Sequence, residues 1–338
     1  EAGEEWELFA GLGGNMAAKL KNFIGSGVLA AKPAEPVADY IPVPARLAVP
    51  SGDVQSTQAA FGHVLLDLAK SSEALADRII TTAPDVTQTT NLGGFVNQRG
   101  LFRRSDVADL FREAKIPSAQ KWAAHAAGQH IELGIAENNF FLLLTSLGLA
   151  APHFGTRLIP VGTVYDPFVC RGLDALIYAL YNGAKFILVG TPSGVTLAPE
   201  GGAHQSTVTT SLGLELPNMT YAEPCFARAL DWLICNGLDR LSQPEGDSMY
   251  LRLSTRPIDQ TPFNDARDRL GEALLRSQVL AGAYRLVDGR NTAGVTIEDT
   301  NAPVVHLVGT GAVMPEVLEA AKELASEGVI AHVVDITS

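Results

Sequence analysis

Apolar and polar positions follow two rhythms along the chain. Between residues 55 and 76, Ala59, Phe61, Val64, Leu65 and Leu68 recur at three- and four-residue spacing, which predicts a helix with Ser56 and Thr57 near its start. Similar patterns predict helices over 138–149, 168–181, 225–236 and 314–327. Short apolar runs bounded by Gly, Pro, Asn or Asp predict strands over 78–82, 158–164, 185–189, 248–254, 304–308 and 329–336. Strands alternating with helices in this way build βαβ units. The expected fold is α/β, a doubly wound and mostly parallel sheet with helices on both faces. Such sheets bind ligands at the carboxyl ends of their strands, so Asp85, residues 164–168 and residues 190–204 draw attention first.

The same pattern suggests an organisation. Residues 1–30 are amphipathic around Trp6, Leu8 and Phe9 but broken by glycines. Pro33, Pro36, Pro42, Pro44 and Pro50 then favour an extended connector. We therefore expect a helical tail and linker over 1–45, a main domain over 46–285, and the opening of a second α/β domain over 286–338. In that second unit Gly309-Thr310-Gly311 is read as a tight strand-to-helix turn, because the full dinucleotide fingerprint is missing. A start at Glu1 and a stop just after a strand suggest a piece of a longer protein.

Composition narrows the classes. With 46% hydrophobic residues the chain has material for an ordered core. A net charge of −12 argues against nucleic acid as the main partner, since phosphate binding needs a basic surface. No apolar run reaches the roughly 18 residues that span a bilayer. Three cysteines, Cys170, Cys225 and Cys235, are odd in number and irregularly spaced, so neither a disulfide framework nor a zinc ribbon is expected. A reducing, cytoplasmic setting suits that usage, and no metal ligand set is assigned within the chain.

Among the candidate residues, Glu137 precedes the apolar run Phe140-Phe141-Leu142-Leu143-Leu144. A carboxylate there is desolvated, which suits proton chemistry, although acids also favour helix starts for electrostatic reasons alone. His204 lies in a loop after a strand, four residues beyond Glu200. Tyr165 and Phe168 follow a strand at a spacing of three and are either core or a stacking surface. Gly190-Thr191-Pro192-Ser193-Gly194 has its serine misplaced for a nucleophile elbow, which removes a hydrolase reading.

Together these pieces resemble the thiamine-diphosphate enzymes of the transketolase superfamily. Gly128-Gln129 followed by Gly134-Ile135-Ala136-Glu137 is similar to that family's signature around its key glutamate. The stretch from Gly190-Thr191 through Glu200-Gly201-Gly202-Ala203-His204-Gln205 to Leu216-Pro217-Asn218 is similar to its substrate loop. The resemblance covers roughly residues 46–338 and makes 46–285 a pyrimidine-binding domain. It implies that Glu137 hydrogen-bonds the pyrimidine ring nitrogen of thiamine diphosphate. Tyr165 and Phe168 would then pack on that ring, and His204 and Glu200 would contact substrate. It also implies that Asp85 sits near the cofactor and a dimer contact. The Mg²⁺ and diphosphate ligands would come from an amino-terminal domain whose Gly-Asp-Gly motif is not found in this sequence.

Glu200 looks like the single-chain 2-oxoacid dehydrogenases, where transketolases carry aspartate; Val86, after Asp85, looks more like transketolase. The leading expectation is a homodimeric decarboxylating component for a pyruvate-like 2-oxoacid, passing its acyl group to a lipoyl-bearing acyltransferase. Ketol transfer between sugar phosphates is the rival, with Arg252 and Arg256 as candidate phosphate contacts or plain surface charge. A non-catalytic α/β binding module is the third reading.

Overall fold

A computed structural model describes residues 15–26, 41–49, 52–71, 74–105, 113–117, 122–196, 198–292, 295–298 and 301–338. Trp6, Leu8, Phe9 and most of the proline-rich connector lie outside the described residues. Met16–Gly25 is helical.

The main sheet has eight strands: β1 Ile79–Ala83, β2 Leu101–Phe102, β3 Ala124–His125, β4 His130–Glu132, β5 Ile159–Val164, β6 Ile187–Gly190, β7 Met219–Ala222 and β8 Ser248–Arg252. Their spatial order is β3-β2-β4-β1-β5-β6-β8-β7, and every pairing is parallel. A parallel sheet must be covered on both faces. Alternation along the strands shows this directly. Ile187 and Val189 of β6, with Met249 and Leu251 of β8, pack into one hydrophobic core. Leu188 and Tyr250, between them in sequence, pack into a second core on the opposite face. The first core holds helices α1 Thr57–Lys70 and α2 Gly93–Arg99; the second holds α3 Glu137–Gly148 and α4 Leu173–Tyr181.

Helix α1 starts where Ser56 caps it, accepting a hydrogen bond from Ala59 N at 3.1 Å. The expected single helix over 55–76 is two. The chain turns extended at Ser71, and Arg99 holds that break by donating to the carbonyls of Ala69 (2.7 Å) and Ser71 (2.8 Å). A short helix, Ala74–Arg78, then leads into β1. The expected helix over 168–181 is also composite: a 3₁₀ segment over Asp166–Gly172, entered through Pro167, precedes α4.

After α5 Thr209–Glu215, α6 Ala227–Leu241 joins α1 and α2 in the first core, and α7 Thr261–Leu270 and α8 Glu272–Leu280 follow. A second sheet comprises β9 Ala283–Val287, β10 Val304–Gly309 and β11 Ile330–Ile336. β10 and β11 are parallel across α9 Met314–Ser326, whereas β9 runs antiparallel to β11. This sheet therefore takes in residues on both sides of position 285. Its Tyr284 meets Phe263 edge to face at 5.8 Å, so the first core continues into it. Among the described residues, no helix is long and apolar enough to cross a membrane.

Candidate active site

Sheet order reverses around β1, whose neighbours β4 and β5 lead away in opposite directions. Side chains following β1, β4, β5 and β6 converge there on a pocket of about 190 Å³. Its lining brings together five of the six residues singled out in the sequence: Asp85, Glu137, Tyr165, Phe168 and His204. Arg171 is a further lining residue. Glu200 is outside the lining, half exposed, with Oε2 3.9 Å from His204 Nε2.

Glu137 is the first residue of α3 and is buried. Helix starts favour acids, because unpaired backbone N–H groups gather there. Its carboxylate is buried but not isolated: Arg171 Nη1 donates to Oε1 at 2.6 Å. The Arg171 guanidinium carbon also lies 3.7 Å from the centre of the Phe168 ring. Tyr165 and Phe168 stack at 6.0 Å and 24°, and the His204 ring closes the cluster at 5.7 Å and 5.5 Å from them. The 3₁₀ segment explains the alignment, since residues three apart eclipse one another in that helix. Tyr165, Phe168 and Arg171 are such a series. Sequence reasoning missed Arg171, yet this three-residue spacing continuing past the aromatics was the signal. Gly172 allows the segment to lie so close. A Cβ there would stand 2.3 Å from a Phe141 ring carbon and 3.0 Å from the Glu137 carbonyl.

A second missed residue ties two parts of the site together. Asp166, fully buried between Tyr165 and Pro167, accepts from Thr209 Oγ1 at 2.6 Å and from Arg252 Nε at 3.1 Å. Ser206 and Tyr250 hydroxyls donate to the same carboxylate. One side chain thus anchors both the aromatic segment and the stretch just after His204. Arg252 also donates to Glu223 Oε2 at 2.5 Å, and its two carboxylate partners hold its pKa above the ordinary range against the opposing effect of burial. This corrects both sequence readings of Arg252: it is neither surface charge nor pocket lining. Arg256 is engaged with Glu316 by two bonds of 2.7 Å and is likewise outside the pocket lining.

Asp85 adopts a left-handed backbone, φ 64°, at the pocket's edge. Aspartate tolerates that region better than most residues. Its N–H donates to Glu132 Oε1 at 2.8 Å. Burial alone would raise the Glu132 pKa. Hydrogen bonds from His130, Thr87 and the Asp85 backbone outweigh it and hold the carboxyl below its usual value.

The pocket offers a carboxylate at its base, two stacked aromatic rings and an imidazole. That donor set fits a flat, nitrogen-bearing ring such as a pyrimidine. It does not fit a diphosphate–metal group: among the described residues no cluster of three or more His, Cys, Asp or Glu could hold a metal ion.

The family described as the pyruvate dehydrogenase E1 component middle domain matches residues 45–256. The pyruvate dehydrogenase E1 component of Pseudomonas aeruginosa is 25% identical over 280 residues, covering 82% of this chain and 30% of that protein. The Mycobacterium tuberculosis E1 component is 26% identical over 288 residues, covering 84% and 29%. A Clostridium protein named 6-deoxy-6-sulfo-D-fructose transketolase subunit SqwH is 26% identical over 221 residues, covering 65% and 58%. The chain thus spans about three-tenths of the length of the E1 components it matches. In fold, it resembles transketolase from Campylobacter jejuni, with a TM-score of 0.60 and 17% identity over 86% of this chain and 37% of that one.

Proposed function

We propose, from the premise that this chain belongs to the pyruvate dehydrogenase E1 middle-domain family, that it supplies the pyrimidine-side half of a thiamine-diphosphate site. The enzyme would be the decarboxylating component of a 2-oxoacid dehydrogenase, with a pyruvate-like substrate and a lipoyl-bearing acyltransferase as acceptor. The observation that carries this reading is the pocket at the sheet's reversal point, with the buried Glu137 carboxylate beside Tyr165, Phe168 and His204.

Thiamine diphosphate, when bound, supplies the nucleophilic carbon for attack on the 2-oxo carbon. The protein's part is binding, orientation and proton placement. Glu137 would hold or release a proton at the pyrimidine ring nitrogen. Tyr165 and Phe168 would cover the ring and exclude water. His204, with Glu200 close to its imidazole, would donate a hydrogen bond or a proton at the substrate oxygen. Asp85, at the pocket's edge, would border the cofactor and a subunit contact. In this reading the Mg²⁺ and diphosphate ligands belong to an amino-terminal domain, the enzyme is a homodimer and its compartment is the cytoplasm.

Ketol transfer is the second reading, favoured by the likeness to the Clostridium transketolase subunit. The full-length enzyme assayed with pyruvate and, separately, with xylulose 5-phosphate discriminates between the two. In the same assay Glu137→Gln should lower turnover on the order of 10²–10⁴-fold, as expected for an acid–base group. Unchanged turnover would sink both readings and leave a non-catalytic binding module.

A further inference from the structure

Glu137 and Phe168 are the two residues with the clearest proposed task toward the pyrimidine, and one guanidinium engages both. Arg171 Nη1 donates to Glu137 Oε1 at 2.6 Å while its guanidinium carbon stands 3.7 Å from the centre of Phe168. A guanidinium is flat, carries in-plane N–H donors and stacks on aromatic faces. An aminopyrimidine whose ring nitrogen carries a proton has the same three properties. Arg171 therefore makes the contacts that a pyrimidine ring would make with this carboxylate and this aromatic face.

We propose that Arg171 is a place-holder for the cofactor's pyrimidine, pairing with Glu137 and covering Phe168 until the ring displaces it. The inference rests on the thiamine-diphosphate reading above and names a residue that sets affinity for that group. Exposure makes the exchange feasible. The Glu137 side chain is 9% exposed and fixed on α3, whereas the Arg171 side chain is 51% exposed and can swing into water without disturbing the core. Gly172 keeps the backbone of the 3₁₀ segment against α3, so the side chain moves and the segment stays. The contact also gives the Glu137 carboxylate a partner, and a buried, unpaired carboxylate would be costly. Ring entry costs this ion pair and the cation–aromatic contact, each modest because the guanidinium remains half in water.

The test is calorimetric titration of the full-length protein with thiamine diphosphate in the presence of Mg²⁺, using wild type, Arg171→Lys and Arg171→Met. Inorganic pyrophosphate with Mg²⁺ is the control, because it has no pyrimidine. Arg171→Met should bind thiamine diphosphate on the order of three- to tenfold more tightly than wild type. Arg171→Lys, which keeps the charge but loses the planar fork, should fall between them. Pyrophosphate affinity should be the same in all three proteins. If Arg171→Met binds thiamine diphosphate no better than wild type, the place-holder idea is overturned while the cofactor reading stands. If pyrophosphate tightens in parallel, Arg171 acts as a general electrostatic influence and the proposal is again overturned. A wild-type protein that binds neither compound overturns the cofactor reading and this inference with it.

Discussion

Asp335 lies on β11 where the second sheet meets the first core. It is fully buried and accepts a hydrogen bond from Cys225 Sγ at 3.0 Å. Burial pushes its pKa up from an ordinary 3.8 to about 7, with hydrogen bonding offsetting only part of the effect. The sign of the consequence follows from proton linkage. Below the unfolded value both states hold the proton, and Asp335 adds no pH dependence. As pH rises toward 7, the unfolded chain loses the proton but the folded chain keeps it, so stability falls. Above about 7 both are ionised and the loss is complete. The span from 3.8 to about 7, at about 1.4 kcal/mol for each tenfold change in proton affinity, amounts to roughly 4 kcal/mol. Asp335→Asn keeps the shape and removes the titration. Any change the amide makes in its contact with Cys225 is constant over this range, because burial holds that thiol's pKa well above its ordinary value. Urea unfolding of both proteins, followed by fluorescence of the buried Trp232, gives the difference in stability at each pH. The advantage of the Asn variant should grow by about 2 kcal/mol between pH 5 and pH 7 and then level off. An advantage that stays flat over that interval would refute the assignment of a buried, protonated Asp335.

The other predictions concern the candidate site. Asp166→Ala removes the carboxylate that four donors share and leaves Arg252 with one acid fewer; urea unfolding should show a loss of about 3–5 kcal/mol, and a loss below about 1 kcal/mol would mean the network is not held through Asp166. Gly172→Ala places a methyl group 2.3 Å from Phe141 and should cost about 1–3 kcal/mol, read as a lower melting temperature. Glu132 carries the opposite sign to Asp335. Its lowered pKa contributes stability that is present above its ordinary 4.5 and lost as pH falls through the folded value, and a carboxyl titration midpoint at or above 4.5 in NMR would contradict it.

Some of this was legible in the chain. Strands β1, β5, β6 and β8 announce themselves as short runs because they are buried along nearly their whole length, and helix α3 through its buried face of Phe140, Phe141 and Leu144. Asp85, Tyr165 and Phe168 were found because each lies just beyond a strand, Glu137 because it opens an apolar helix, and His204 because it lies in the loop that follows a strand, where a parallel sheet opens its pocket. The peripheral strands β2, β3 and β4 are two or three residues long and carry no usable period. The 3₁₀ segment looked like the first turns of α4, because its three-residue spacing differs too little from helical spacing over seven residues.

Asp166 and Arg252 were beyond such reading for a different reason. Their meaning lies in partners 29 to 86 residues away. The same holds for Asp335, whose partner Cys225 is 110 residues away. Arg171 lies between the cases: its spacing from Phe168 is local, but its bond to Glu137 spans 34 residues. Periodicity by itself determined the layered α/β class and the loops from which a site would be built, since side-chain direction repeats every two or 3.6 residues along the backbone. Only the tertiary structure decided which charges are buried, which are paired and which residue covers the pocket. Desolvation and pairing depend on distance in space, and the chain's order records that distance only for near neighbours.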